Sequence, residues 1–305
     1  GSARELARAC GITTVPDNLQ TPWNDEFGLI EQCLTYAPPD TGEPATLLVP
    51  PGDDAAVLRP IQQPVISTDA HVENIHFSFH WQTAREVGYK AVVVVLSDLA
   101  AAYASPVALF ANLSLPRNVS ASLAEEMYAG IKEALEEYGC LLGGGNISAG
   151  ESVALNMFVV GESFGSYPFR SAARVDDLLC CTGHLGLARA GLLTLQQKDH
   201  GPCDLVDRFK FPRARFDAAK VLADCGVDCV IDVSDGLVGD AGHIAKASQV
   251  TIAFDWAEDF ISPALSDWCN QRGENPQEII YSGGEDYELL FTCSPDKLAM
   301  IQRRL

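Results

Sequence analysis

Residues 83–104 carry a long apolar run, and Val87, Ala91, Val94, Asp98 and Ala102 fall at spacings of four, three, four and four. That is one stripe of a helix. The stretch 91–96 is β-branched enough for a strand. The absence of proline and the stripe decide for a buried helix that carries Asp98 inward. Shorter apolar runs surround it. Residues 46–49 and 64–67 read as strands running into acids, at Gly52-Asp53-Asp54 and Ser67-Thr68-Asp69. Residues 107–115 and 153–161 read as further strands, and 123–138 as an amphipathic helix. Upstream, 25–34 has helical spacing, ended by Pro38, Pro39 and Gly42.

Beyond Phe164-Gly165-Ser166-Tyr167-Pro168, which has the composition of a boundary, strands are predicted at 178–182, 229–233 and 287–292. Helices are predicted at 183–193, 215–225 and 243–247. No solenoid period recurs. The pattern predicts an α+β fold of two domains: residues 1–165, a mixed sheet with helices on one side, and residues 166–305, a smaller α+β unit.

Composition narrows the function. The 305 residues are 47% hydrophobic and 20% charged, an ordinary globular balance. With 21 Lys and Arg against 41 Asp and Glu, the net charge of −20 argues against nucleic-acid binding. An acidic protein that handles phosphates must recruit cations. The ten cysteines form no repeated Cys-x-x-Cys, and Cys225 with Cys229 lacks a second pair, so free thiols in a reducing cytoplasm are expected. Gly1-Ser2-Ala3-Arg4 carries no apolar leader core, and the run 91–115 is broken by Asp98, Pro106 and Asn112, so no membrane span is expected.

The candidate chemistry lies in acids at element ends or on the helical stripe: Asp53, Asp54, Asp69, Asp98, Asp235 and Asp286. Singly, each is most simply a turn residue or helix cap. If they cluster, each carboxylate pair near 4 Å costs roughly 4 kcal/mol at an effective dielectric of about 20, so cations must lie between them. Oxygen-only ligand sets suit magnesium, whose remaining positions take water and phosphate oxygens. The glycine run 143–145 allows close backbone approach to a phosphate, although a plain turn explains it as well. The Gly-x-x-x-x-Gly-Lys-Ser/Thr loop does not occur, so no P-loop nucleotide site is present, and the six histidines are isolated from candidate nucleophiles, so no nucleophilic triad is expected.

Taken in order, several segments resemble the bacterial thiamine-monophosphate kinase family, within the aminoimidazole ribonucleotide synthetase-like superfamily. They are Gly52-Asp53-Asp54-Ala55-Ala56-Val57-Leu58, Ser67-Thr68-Asp69, Val72-Glu73-Asn74-Ile75-His76-Phe77, Gly88-Tyr89-Lys90-Ala91 and Leu96-Ser97-Asp98-Leu99-Ala100-Ala101. Arg170-Ser171-Ala172, Asp232-Val233-Ser234-Asp235-Gly236-Leu237 and Gly283-Gly284-Glu285-Asp286-Tyr287-Glu288-Leu289 complete the set. The resemblance implies ATP-dependent phosphorylation of thiamine monophosphate to thiamine diphosphate by direct in-line transfer, with several Mg²⁺ ions and ATP as co-substrate. It also implies a homodimer formed through the N-terminal sheets.

By the same resemblance Asp53, Asp54, Asp69, Asp98 and Asp235 are metal ligands. Thr68, Gly144, Gly145, Asn146, Arg170 and Ser234 face ATP, while His76 and Phe77 border the thiamine phosphate. No residue is expected to act as an acid or base. Where the family carries Gly-Gly-Asp-Thr-Thr-Arg, this chain has Gly144-Gly145-Asn146-Ile147-Ser148-Ala149, which removes an acid and an arginine. Two other functions remain open on the residues alone: another small-molecule kinase or synthetase of the superfamily, and a non-catalytic nucleotide-binding homologue.

Overall fold

A computed structural model describes residues 26–197, 203–256 and 260–305. Cys10, and with it the whole lead-in before residue 26, lies outside the described residues. The first helix among the described residues is α1 (Glu26–Leu34), and β1 (Leu47–Val49) with β2 (Val57–Leu58) forms a small antiparallel ribbon.

The stripe of 83–104 becomes α2 (Ala84–Ala101). Its start is fixed by a capping box: Thr83 Oγ1 accepts from the Glu86 N–H and Glu86 Oε2 accepts from the Thr83 N–H. Nearly every residue of α2 is buried, because the helix packs on a sheet, on α3 (Ala121–Tyr138) and on the second half of the chain. The α2 and α3 backbones meet at two glycines. A methyl at Gly88 would collide with the Met127 carbonyl, and one at Gly130 with the Arg85 carbonyl.

The sheet beneath has the order β3 (Pro64–Val72), β6 (Ala154–Ser163), β4 (Ala104–Leu115), β5 (Leu141–Ala149), with β4 and β5 parallel and the other pairs antiparallel. Among the described residues helices cover one face only. Strand alternation sends Asp69, Met157 and Ala111 to the covered face. Ala70, Asn156, Asn112 and Asn146 make one row across the open face, beside the row Thr68, Phe158, Phe110 and Gly144. The glycine run is therefore the interior of edge strand β5, not the turn considered from sequence. A side chain at Gly143 would strike the Phe110 ring, and one at Gly145 the Ala111 carbonyl.

The second half is built on a three-stranded antiparallel sheet, β7 (Leu178–Cys181), β9 (Leu289–Cys293), β8 (Cys229–Asp232). Around it lie α4 (Leu187–Gln196), α5 (Cys203–Lys210), α6 (Phe216–Asp224), α7 (Leu237–Ser248), α8 (Pro263–Arg272), α9 (Pro276–Ser282) and α10 (Pro295–Gln302). The last three are absent from the sequence pattern because each opens on a proline, which reads as a breaker yet is well suited to a first helical turn.

One core fills the space between α2, α3 and the four-stranded sheet, and a second lies within the C-terminal half. A third joins the halves, with Ala100 and Tyr103 packed among Ala219, Leu222, Leu289 and Phe291. Within it Tyr103 Oη donates to the Val227 carbonyl at 3.0 Å. Among the described residues no helix is long and apolar enough to cross a membrane.

Candidate active site

Asp69 leaves β3 toward α2, and Asp98 on α2 points back at the strand. The two carboxyls share a hydrogen bond, and Ser67 Oγ donates to Asp98 Oδ2. Burial pushes Asp69 up to about 6, with the charge of Asp98 adding to it. Burial also raises Asp98, opposed by the Ser67 hydrogen bond and by the charge of Arg170. A third acid arrives from the second half: Asp232, at the end of β8, is held up at about 7 by burial and then by Asp98, and accepts from Ser97 Oγ at 2.8 Å. Three carboxyls with raised proton affinity at one junction are a cation-seeking set. The acidic junction draws Asp69 and Asp98 from the N-terminal half and Asp232 from the C-terminal half.

Beside this junction opens a cavity of about 540 Å³. Its N-terminal wall carries Asp69, His71, His76, Phe77 and Trp81, and its C-terminal wall Ser234, Asp235, Glu285 and Tyr287. The aromatic corner is ordered by stacking, with ring centroids 5.6 Å apart for His71 and His76 and 5.9 Å for His71 and Phe77. Burial drives His71 down to about 3, so its imidazole is neutral at pH 7. The turn after β8 is braced by Asp240, whose Oδ2 accepts from the N–H groups of Ser234, Asp235 and Gly236, each at 3.1 Å. Asp235, Asp240 and His243 lie close enough together for one ion.

Of the residues singled out from sequence, Asp69, His76, Phe77, Ser234 and Asp235 share the cavity, and Asp98 adjoins Asp69. Arg170 is exposed on the loop before β7 and bears electrostatically on Asp98. Asp53 and Asp54 lie on an exposed turn where the Asp54 N–H donates to Asp53 Oδ1 at 2.8 Å, with Gly52 at φ 118. Thr68, Gly144 and Asn146 belong to the open face of the sheet. Asn146 stands three strand spacings, about 14 Å, from the β3 row. Asp69 and Asn146 therefore cannot share one ion within this chain. Asp286 is a helix cap: it accepts from the N–H groups of Gly186 and Ala188 at 2.6 and 3.0 Å, at the start of α4.

The residues missed from sequence are Asp232, Ser97, Lys90, Glu285 and Tyr287. A signal existed for two of them, because Lys90 and Ser97 break the apolar run of α2 as Asp98 does.

Comparison with known proteins decides the family. Residues 52–163 match the model of the AIR synthase related protein, N-terminal domain. Over 246 residues the chain is 36% identical to the thiamine-monophosphate kinase of Aquifex aeolicus, covering 79% of each protein. The chain belongs to the thiamine-monophosphate kinase family. Within the family, the crystal structure of the Stenotrophomonas maltophilia enzyme superposes with a TM-score of 0.79 at 30% identity, over 91% of this chain and 89% of that one. AaThiL complexed with AMPPCP and TMP superposes with a TM-score of 0.70 at 31% identity, over 93% and 88%. The α+β architecture is that of the family.

Proposed function

We propose that this chain transfers the γ-phosphoryl group of ATP to thiamine monophosphate, giving thiamine diphosphate by direct in-line displacement. The observation that carries the reading is the Asp69–Asp98 carboxyl pair beside a cavity lined by both Asp69 and Asp235, in a chain of this family. The acceptor is already a phosphate oxyanion, so no strong base is required, and positioning with charge neutralisation suffices.

Asp69, Asp98 and Asp235 are the groups that would hold Mg²⁺. The fit rests on an oxygen-only donor set in which Asp69 and Asp98 are held side by side, their proton affinities raised first by burial. Bound Mg²⁺ supplies charge stabilisation on the phosphate oxygens. Arg170 biases the same ground from the positive side. His76 and Phe77 give the substrate's rings an aromatic wall, and neutral His71 behind them adds no repulsion toward a cationic thiazolium.

Three further readings accompany this one. The open sheet face, with Ile66 68% and Phe158 43% exposed, supports a homodimer through that face. The separate cores support a domain boundary near residue 165, and a cytoplasmic location suits a chain whose described cysteines are free. Coupled detection of ADP release in Mg-ATP tests the activity. Thiamine-monophosphate-dependent turnover is expected, and turnover with ATP alone or none at all would overturn it.

A further inference from the structure

Lys90 has a fully buried side chain on α2, a costly place for an ammonium. Its Nζ lies 3.1 Å from Glu285 Oε1 and 3.6 Å from the centroid of the Phe209 ring. Burial lowers its proton affinity and Glu285 raises it again. Glu285 is its one ionic partner among the described residues.

Glu285 occupies an unusual backbone position. It follows Gly283 and Gly284 and takes φ 67, the left-handed region that a non-glycine residue seldom enters without a reason. The turn is wedged against the one bearing Ser234 and Asp235: the Glu285 N–H donates to the Ser234 carbonyl at 2.9 Å, and a methyl at Gly284 would collide with that same carbonyl. The Tyr287 N–H donates to the Val233 carbonyl at 2.9 Å. Any force on the Glu285 carboxylate is therefore passed to the Ser234 backbone.

On α2, Lys90, Val94 and Ser97 stand at i, i+4 and i+7, one helical stripe. Lys90 reaches Glu285, Val94 lines the cavity, and Ser97 reaches Asp232. The stripe holds the C-terminal wall at two polar points about 10 Å apart along the helix.

We propose that Lys90 is a positioning residue: through its ion pair it fixes the Glu285 turn, and with it the C-terminal wall of the cavity, against the helix that carries Asp98. The inference rests on the proposed activity, and it assigns a buried cation on the N-terminal half the task of setting the width of a site completed by the C-terminal half. Phosphoryl transfer needs that distance fixed, since it depends on alignment more than on covalent help.

The experiment is a mutant cycle in the full chain, with KM measured separately for thiamine monophosphate and for ATP, well below the melting temperature. Lys90→Met keeps the stem over Phe209 and removes the charge. We expect it to raise KM for thiamine monophosphate about tenfold or more, to leave KM for ATP within about threefold, and to be matched by Glu285→Gln. In the Glu285→Gln background, where the ion pair is already gone, adding Lys90→Met changes KM by less than about threefold. That comparison holds even if the single Lys90→Met protein does not fold. A folded Lys90→Met protein with wild-type constants and only a lower melting temperature would overturn the inference, as would a further tenfold loss in the Glu285→Gln background. Absence of turnover in the wild-type chain would instead overturn the activity itself.

Discussion

Ser97 Oγ lies 2.8 Å from Asp232 Oδ2, a buried hydrogen bond between a helix of the N-terminal half and a strand end of the C-terminal half, 135 residues apart in sequence. It ties the second half of the chain to the helix that carries Asp98, and it places a carboxyl of high proton affinity where the folded state must respond to pH.

The folded protein holds the Asp232 proton up to about pH 7, whereas an unfolded aspartate loses it near 3.8. Between those values the folded state binds a proton that the unfolded state has released, so this group's contribution favours folding at low pH and is lost as pH rises toward 7. In metal-free protein Asp232→Asn should therefore gain stability over wild type on the order of 4 kcal/mol at pH 8, shrinking toward zero near pH 4. Denaturant titration in EDTA across that range measures it, and a difference independent of pH would refute the assignment.

Replacing Asp98 by Asn removes one of two like charges. In EDTA at pH 8 the variant should melt above wild type, because Asp69 no longer faces an ionised neighbour. The upward shift that Mg-ATP gives wild type should be reduced or lost, and kcat/KM should fall by roughly a hundredfold or more. A variant that keeps the full Mg-ATP shift would show that the pair holds no metal.

The α2–α3 crossing depends on the absence of side chains. Gly88→Ala forces a methyl into the Met127 carbonyl and should cost about 2–4 kcal/mol. A methyl at Gly242, in α7, would meet nothing within 4 Å beyond its own turn of helix, and Gly242→Ala should gain up to about 1 kcal/mol from helix propensity. Thermal melts of the two variants, side by side, should move in opposite directions.

Asn146→Asp restores an acid, but on the open face of the sheet and about 14 Å from the β3 row. Through that distance in salt the added charge should change the apparent Mg²⁺ affinity by less than about threefold. Calorimetric titration that found tenfold tightening would place the open face within the metal site.

Much of the fold was legible because the signals were local. The stripe Val87, Ala91, Val94, Asp98 dictated a helix against the β-branched character of 91–96, since a buried helix needs its apolar residues in register more than it needs propensity. The glycine run 143–145 was not legible as a strand, because what selects glycine there is the Phe110 ring and the Ala111 carbonyl of a neighbouring strand. Local pattern contains no record of such neighbours.

The candidate site divides along the same line. By itself the sequence determined an acidic, oxygen-rich chemistry, the family motifs and the inward aim of Asp98, all set by residue type and short spacing. Only the tertiary structure decided that Asp286 caps a helix, that Asn146 and Asp69 belong to opposite sheet faces, and that Lys90 and Glu285 meet between the two halves. A carboxylate's role depends on which groups desolvate or neutralise it, and those distances are set by packing between elements remote from one another in the sequence.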